Sequence, residues 1–121
     1  MPDPGPPRRI TPGATGGRGQ LRHELPAVDE AGLVAARAAD RVVAAAIARN
    51  ATRWVRYFET MPDHLRDDDP RALRQVAMRA RAAFGPKDSV RDQLPEDVTE
   101  PFLGAIDRLL KQLNRRDVGA A

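Results

Sequence analysis

The sequence predicts an all-α protein: a small bundle of three main helices and one short helical turn, preceded by a disordered tail. Apolar residues recur at steps of three and four along most of the chain after residue 28, which places them on one side of a helix. No segment alternates apolar and polar residues as a half-buried strand does. Prolines and glycines separate the periodic segments and so divide the chain into its elements.

The first 28 residues are predicted to be a disordered tail, and residues 29–121 a helical bundle domain. The tail holds six of the eleven prolines and five of the nine glycines, and it shows no apolar periodicity. Such a segment buries too little apolar surface to offset the entropy of the chain. We therefore expect that removal of residues 1–27 leaves the melting temperature nearly unchanged.

Helix one is predicted from about Asp29, which is suited to cap it, to Met61, because Pro62 disfavours helix for the residue before it. One face is apolar: Leu33, Ala36, Ala39, Val43, Ile47, Ala51, Trp54, Phe58 and Met61. The opposite face is basic: Arg37, Arg41, Arg49, Arg53 and Arg56. A helix of about 30 residues is roughly 45 Å long, so nothing else in the chain is expected to cover its apolar face fully.

An acidic connection over residues 62–69 is predicted to lead into helix two. Asp69 followed by Pro70 is an N-cap with proline at the first helical position, so helix two begins there. It is expected to end near Phe84, because Gly85 and the proline after it terminate helices.

Two elements are predicted after helix two. The first is a short helical turn over residues 88–94, capped by Asp88 or Ser89. The second is the last helix, which begins around Thr99, tolerates Pro101 in its first turn and frays past Arg116.

Few residues suited to catalysis or metal binding occur in the chain. There is one serine, Ser89, which the capping role explains, and there is no cysteine. The aspartates around His64 lack the alternating spacing of a calcium loop, and no pair of histidines has the spacing of a zinc site. We therefore predict a protein that is not an enzyme and that takes no cofactor, metal ion or small-molecule substrate.

Neither membrane insertion nor export is predicted. The most apolar window, residues 33–48, contains three charged residues and is too short to cross a bilayer. The paired arginines at positions 8 and 9 are not followed by the apolar segment of an export signal. The expected location is the cytoplasm.

The net charge of +3 arises from residues 1–22. Residues 1–22 hold four arginines and one aspartate, and the remaining residues balance sixteen basic against sixteen acidic side chains. The overall charge is therefore a weak indication of nucleic-acid binding, and the placement of individual arginines matters more.

Two binding hypotheses remain, and the preferred one is protein binding. In it the chain self-associates, or serves as an accessory subunit of a larger assembly, through the apolar face of helix one. The residues predicted to bind the protein partner are Leu33, Ala36, Val43, Ile47, Trp54 and Phe58.

The second hypothesis is an accessory or regulatory protein that binds the phosphate backbone of a nucleic acid through arginine-rich helix faces and the basic tail. The candidate residues are Arg71, Arg74, Arg79 and Arg81 of helix two and Arg49, Arg53 and Arg56 of helix one. Helix two contains no acidic residue, but acidic residues flank it at 63–69 and 92–100. The preferred interpretation is therefore that the arginines of helix two pair with those acids within the chain.

Overall fold

The computed structural model describes residues 21–120, with side chains for residues 21–115, and this part of the chain is all-α without strands, as predicted. Its helices are α1 (Pro26–Ala48), α2 (Thr52–Phe58), α3 (Met61–Asp67), α4 (Pro70–Ala82) and α5 (Glu96–Ala120). Two 3-10 turns, Arg22–Glu24 and Val90–Asp92, precede α1 and α5. The long helices α1, α4 and α5 correspond to the three main helices, and Val90–Asp92 is the predicted short turn.

The folded part begins earlier than predicted. Residues 1–20 of the predicted tail lie outside the described residues, but residues 22–28 belong to the fold. Helix α1 begins at Pro26, whose missing amide hydrogen costs no bond in a first turn. Asp29 therefore lies inside the first turn and is not the N-cap. Its carboxylate pairs with the buried Arg22 instead, at 2.9 Å.

The prediction of one continuous helix over residues 29–61 is wrong, because the chain turns at Asn50. This residue adopts the left-handed conformation, with φ at 56°. The amide of Ala51 donates to the carbonyl of Ala46 at 2.9 Å, and the amide of Asn50 donates to that of Ile47 at 3.1 Å. These two bonds form a Schellman motif, in which asparagine takes the position that glycine usually occupies.

The residues predicted as an acidic connection form α3, which folds back along α1. Pro62 lies in the first turn of α3, where proline is tolerated, and Leu65 is fully buried. Arg66 pairs with Asp40 of α1 at 3.1 Å. The backbone of α3 also comes close to α1, since a Cβ atom on Gly32 would lie 3.0 Å from the carbonyl oxygen of Leu65. The chain thus covers part of its own apolar helix face.

Helix α4 and the second 3-10 turn begin as predicted. Asp69 accepts a hydrogen bond from the amide of Ala72 at 2.9 Å, and the hydroxyl of Ser89 accepts one from the amide two residues further on at 3.1 Å. Helix α4 ends two residues before its predicted end. Helix α5 begins three residues before its predicted start, because the amide of Thr99 already donates to the carbonyl of Pro95.

The core combines small residues on α1 with large ones on the other helices. The buried α1 side chains are Val28, Ala31, Ala35, Ala36, Ala38, Ala39, Val42 and Ala46. Against them pack Phe58, Leu65, Leu73, Phe102, Ile106, Leu109 and Leu113. The alanines let neighbouring helices approach closely. Of the predicted apolar stripe on α1, Ala36 and Ala39 are buried, Leu33 and Val43 are half-buried and Ile47 is exposed, so the buried face of α1 only partly coincides with that stripe.

Candidate functional site

The residues predicted to bind a protein partner do not form one exposed face. Ala36, Trp54 and Phe58 are buried in the core of the chain itself, so they offer no surface to a partner, which corrects that prediction for these three residues. Leu33 and Val43 are half-buried. Of the predicted set, Ile47 is the exposed member, with 58% of its surface accessible. The physical reason is the turn at residue 50, which returns α2 and α3 onto α1.

Two of the predicted arginines connect α4 to α5. Arg81 forms an ion pair with Asp107 at 3.0 Å, and Arg74 donates to the side-chain oxygen of Asn114 at 2.7 Å. Both contacts are made across helices, about two turns apart along α4. These arginines therefore stabilise the contact between α4 and α5. Their guanidinium groups are already bonded within the chain and are less available to a binding partner.

Two other arginines lie over aromatic rings at the contact between α2 and α4. The Cζ atom of Arg53 is 4.6 Å from the ring centroid of Trp54, and that of Arg79 is 4.9 Å from the centroid of Tyr57. The two rings touch edge to face with centroids 5.5 Å apart. In addition, the hydroxyl of Tyr57 donates to the carbonyl of Arg79 at 2.6 Å. Each ring of this aromatic pair thus has a guanidinium group over it, one from Arg53 of α2 and one from Arg79 of α4.

Five predicted arginines make no ion pair in the part of the chain that the structure describes, and all five are exposed. We call them the arginine surface: Arg49, Arg53, Arg56, Arg71 and Arg79. Arg49 caps the end of α1, and the others lie on α2 and α4. Neither α2 nor α4 contains an acidic residue. Cationic groups with no carboxylate partner are available to an anion.

Four of the eight acidic residues that flank α4 have other partners. Asp63 pairs with Arg66, Asp68 with His64, Asp69 caps α4, and Glu100 pairs with Arg91. Within the described residues, none of Arg71, Arg79 and Arg81 pairs with the acids at 63–69 or 92–100. The expected pairing of helix two with its acidic flanks is therefore wrong for these arginines, and the four paired acids bond to groups outside the set of α4 arginines.

The shortest ion pair among the described residues lies at the second 3-10 turn. Arg91 donates from Nε to Oε2 of Glu100 at 2.7 Å and from Nη2 to Oε1 at 3.0 Å. The hydrogen bond from Arg91 holds the pKa of Glu100 below its usual value, and the same bond raises the pKa of Arg91. This bidentate contact holds the start of α5 against the turn.

Other groups considered from the sequence have structural contacts. Ser89 caps the 3-10 turn, and His64 bonds to Asp68 one turn later in the chain. Among the described residues no group of three or more histidine, cysteine or acidic side chains could hold a metal ion. No helix among them has the length and apolarity to cross a membrane.

The grouping of Arg53 with Arg79 could not be found in the sequence. Tyr57 and Arg79 are 22 residues apart, and the contact depends on how α2 packs against α4. The available signal was limited to the concentration of aromatic and basic residues between positions 53 and 58.

Comparison of the chain with protein-family models, with curated proteins and with solved structures finds no match. A functional interpretation therefore depends on the side chains described above.

Proposed function

We propose that this protein is a non-enzymatic nucleic-acid-binding protein that holds a phosphate backbone on the arginine surface. The observation that supports the proposal is the division among the seven predicted arginines. Arg74 and Arg81 contact α5, whereas the five residues of the arginine surface are exposed and make no ion pair in the described part, and four of them lie on the acid-free helices α2 and α4.

A guanidinium group suits phosphate because its planar fork donates two parallel hydrogen bonds to an anion. Two of these groups, from Arg53 and Arg79, are held over rings and so lose less freedom on binding. Several arginines on one protein can replace the condensed counterions of a nucleic-acid strand, and the release of those counterions favours binding. The role is consistent with the cytoplasmic location expected from the sequence.

Fluorescence anisotropy with labelled oligonucleotides tests the proposal. If four or five arginines each replace a counterion, the plot of log K against log salt concentration should have a slope of about −3 for a single strand. The variant Arg56→Glu/Arg71→Glu should abolish binding, since both side chains are exposed and without an ion pair. Neither side chain makes a hydrogen bond within the described part of the chain, so helicity should persist.

The matched control is Arg37→Glu/Arg41→Glu, which changes the net charge equally at two exposed arginines of α1. Its binding should be much closer to that of the unmodified protein. Equal loss in both variants would show that net charge alone attracts the oligonucleotide and would contradict the assignment to the arginine surface. Absence of salt-dependent binding would contradict the function itself.

Protein binding stays a second candidate function, but fewer residues support it than the sequence suggested. The argument from a long uncovered helix no longer applies, since α1 is 23 residues long and α3 packs on it. However, Ile47 is 58% exposed near the end of α1, beside half-buried Val43. An exposed isoleucine next to further apolar surface is a candidate contact for a second copy or for another protein.

Sedimentation velocity over micromolar concentrations tests self-association at this position. The variant Ile47→Gln should shift any dimer toward monomer. Met78→Gln is the matched control, because Met78 is similarly exposed, at 56%, but lies on α4. A monomer at every concentration would contradict self-association.

A further inference from the structure

We infer that the arginine surface selects single-stranded over double-stranded nucleic acid, by stacking unpaired bases on the guanidinium groups of Arg53 and Arg79. The inference rests on the proposed function and adds the form of nucleic acid that is bound. It is carried by the aromatic pair beneath these two arginines, a feature that phosphate binding alone does not require.

Each of the two guanidinium groups lies over an aromatic ring. Their Cζ atoms lie 4.6 Å and 4.9 Å from the ring centroids of Trp54 and Tyr57. Both arginines are exposed to solvent. A flat, weakly hydrated cation that already lies over a ring is a surface on which a planar base can stack.

The rings themselves are not the stacking surface. Trp54 is 2% exposed and Tyr57 is half-buried, with Arg79 above it. A base therefore meets the guanidinium and not the ring. This differs from the usual single-strand platform, in which the base stacks directly on an exposed aromatic side chain.

The platform is fixed in place by contacts that the other arginines lack. The hydroxyl of Tyr57 bonds to the carbonyl of Arg79 at 2.6 Å, and the Tyr57 and Trp54 rings touch at 5.5 Å. Arg56 and Arg71 have neither a ring contact nor an ion pair in the described part. The structure thus separates two arginines that can stack from two that offer charge alone.

Stacking of this kind distinguishes single strands from duplexes. In a duplex each base is already stacked and paired, so only phosphates are presented to the side chains. By charge alone the duplex should bind more tightly, because its phosphate density is higher. A preference for the single strand is therefore evidence for base contacts.

The test uses the full chain and a labelled mixed-sequence oligodeoxynucleotide of about 16 nucleotides, alone and annealed to its complement. An oligouridylate of the same length tests RNA in parallel. We expect tighter binding of the single strands than of the duplex. The variant Arg53→Lys/Arg79→Lys keeps both charges but removes the planar groups, and it should weaken single-strand binding by about tenfold while leaving duplex binding unchanged.

The matched control is Arg56→Lys/Arg71→Lys, which makes the same chemical change where no ring lies beneath. It should change neither affinity by more than about twofold. Thermal melting of each variant shows whether the fold is intact, and the Tyr57 bond should survive because its acceptor is a backbone carbonyl. The fluorescence emission of Trp54, the only tryptophan, should change when a single strand binds to the unmodified protein. In the Arg53→Lys variant, addition of the single strand should leave this emission unchanged.

The outcomes separate the two proposals. Salt-dependent binding in which the duplex is preferred, or in which both lysine pairs behave alike, would keep the proposed function and overturn the inference. If neither nucleic acid binds, or if polyglutamate competes as well as an oligonucleotide does, the proposed function fails and the inference fails with it.

Discussion

The guanidinium of Arg22 donates from Nη1 to the carbonyl oxygen of Leu65 at 2.8 Å, across 43 positions of the chain. The same nitrogen lies 3.1 Å from the carbonyl of Asp68, and Nε pairs with Asp29 at 2.9 Å. Arg22 thereby satisfies carbonyl groups at the end of α3, which have no partner inside that helix. One buried arginine connects the start of the described chain to both α1 and α3.

Substitution Arg22→Ala should lower the free energy of unfolding by about 2 to 3 kcal/mol, because it removes charge-assisted hydrogen bonds from a site that is only 9% exposed. Chemical denaturation monitored by circular dichroism measures the change. His23→Ala is the control at an exposed neighbour and should stay within about 0.5 kcal/mol. Equal effects at the two positions would contradict the role of Arg22.

The contacts of Arg22 also change the predicted effect of removing the tail on the melting temperature. Removal of residues 1–27 would delete Arg22 and the first residues of α1, so the melting temperature should fall by roughly 10 °C and not stay unchanged. Composition could not reveal this, because proline and glycine content averages over a segment. Apart from the carboxylate of Asp29, the partners of Arg22 are main-chain carbonyls, which leave no mark on the sequence.

Two glycines should respond to alanine in opposite directions. A Cβ atom on Gly32 would lie 2.5 Å from Nη2 of Arg22 and 3.0 Å from the carbonyl oxygen of Leu65. Since that arginine is held by its bonds, Gly32→Ala should destabilise the protein by about 1 to 2 kcal/mol. Gly104, in α5, has nothing within 4 Å of such an atom. Gly104→Ala should therefore stabilise by about 0.5 to 1 kcal/mol.

Urea unfolding of both variants checks the pair, with each serving as control for the other. A stabilising Gly32→Ala would mean that Arg22 moves aside at little cost. Loss of stability in Gly104→Ala would contradict the open space beside α5.

Local chemistry could be predicted from the sequence where one residue type decides the structure. Asp69 before Pro70 correctly indicated the start of α4, and Ser89 correctly indicated a capped turn. The break in helix one was missed because alanine on both sides of Asn50 favours helix and the apolar spacing continues through it. The exposed arginines were identified, but their division into paired, stacked and unpaired groups depends on packing between helices.

The turn at Asn50 can be tested by two substitutions at that position. Because φ is 56°, Asn50→Ala should cost about 1 kcal/mol, since alanine lacks the short polar side chain that lets asparagine tolerate the left-handed region. Asn50→Gly removes the Cβ atom and should be neutral or slightly stabilising. Denaturation midpoints compare the variants. If alanine were the more stable of the two, the chain would prefer to continue α1 as a straight helix.

The Arg91–Glu100 pair should make stability depend on pH in the acidic range. The hydrogen bond from Arg91 lowers the pKa of Glu100 in the folded state, so its contribution is fully present above the ordinary glutamate value of about 4.3. The contribution is lost as pH falls below that value through the folded pKa, when the carboxylate takes up a proton. The variant Glu100→Gln should therefore have a slightly lower urea midpoint than the unmodified protein at pH 7, and the difference should shrink as the pH falls through the folded pKa of Glu100. In the Arg91→Gln background the same substitution should produce no pH-dependent difference, and if one persisted there, the effect would come from a group other than Arg91.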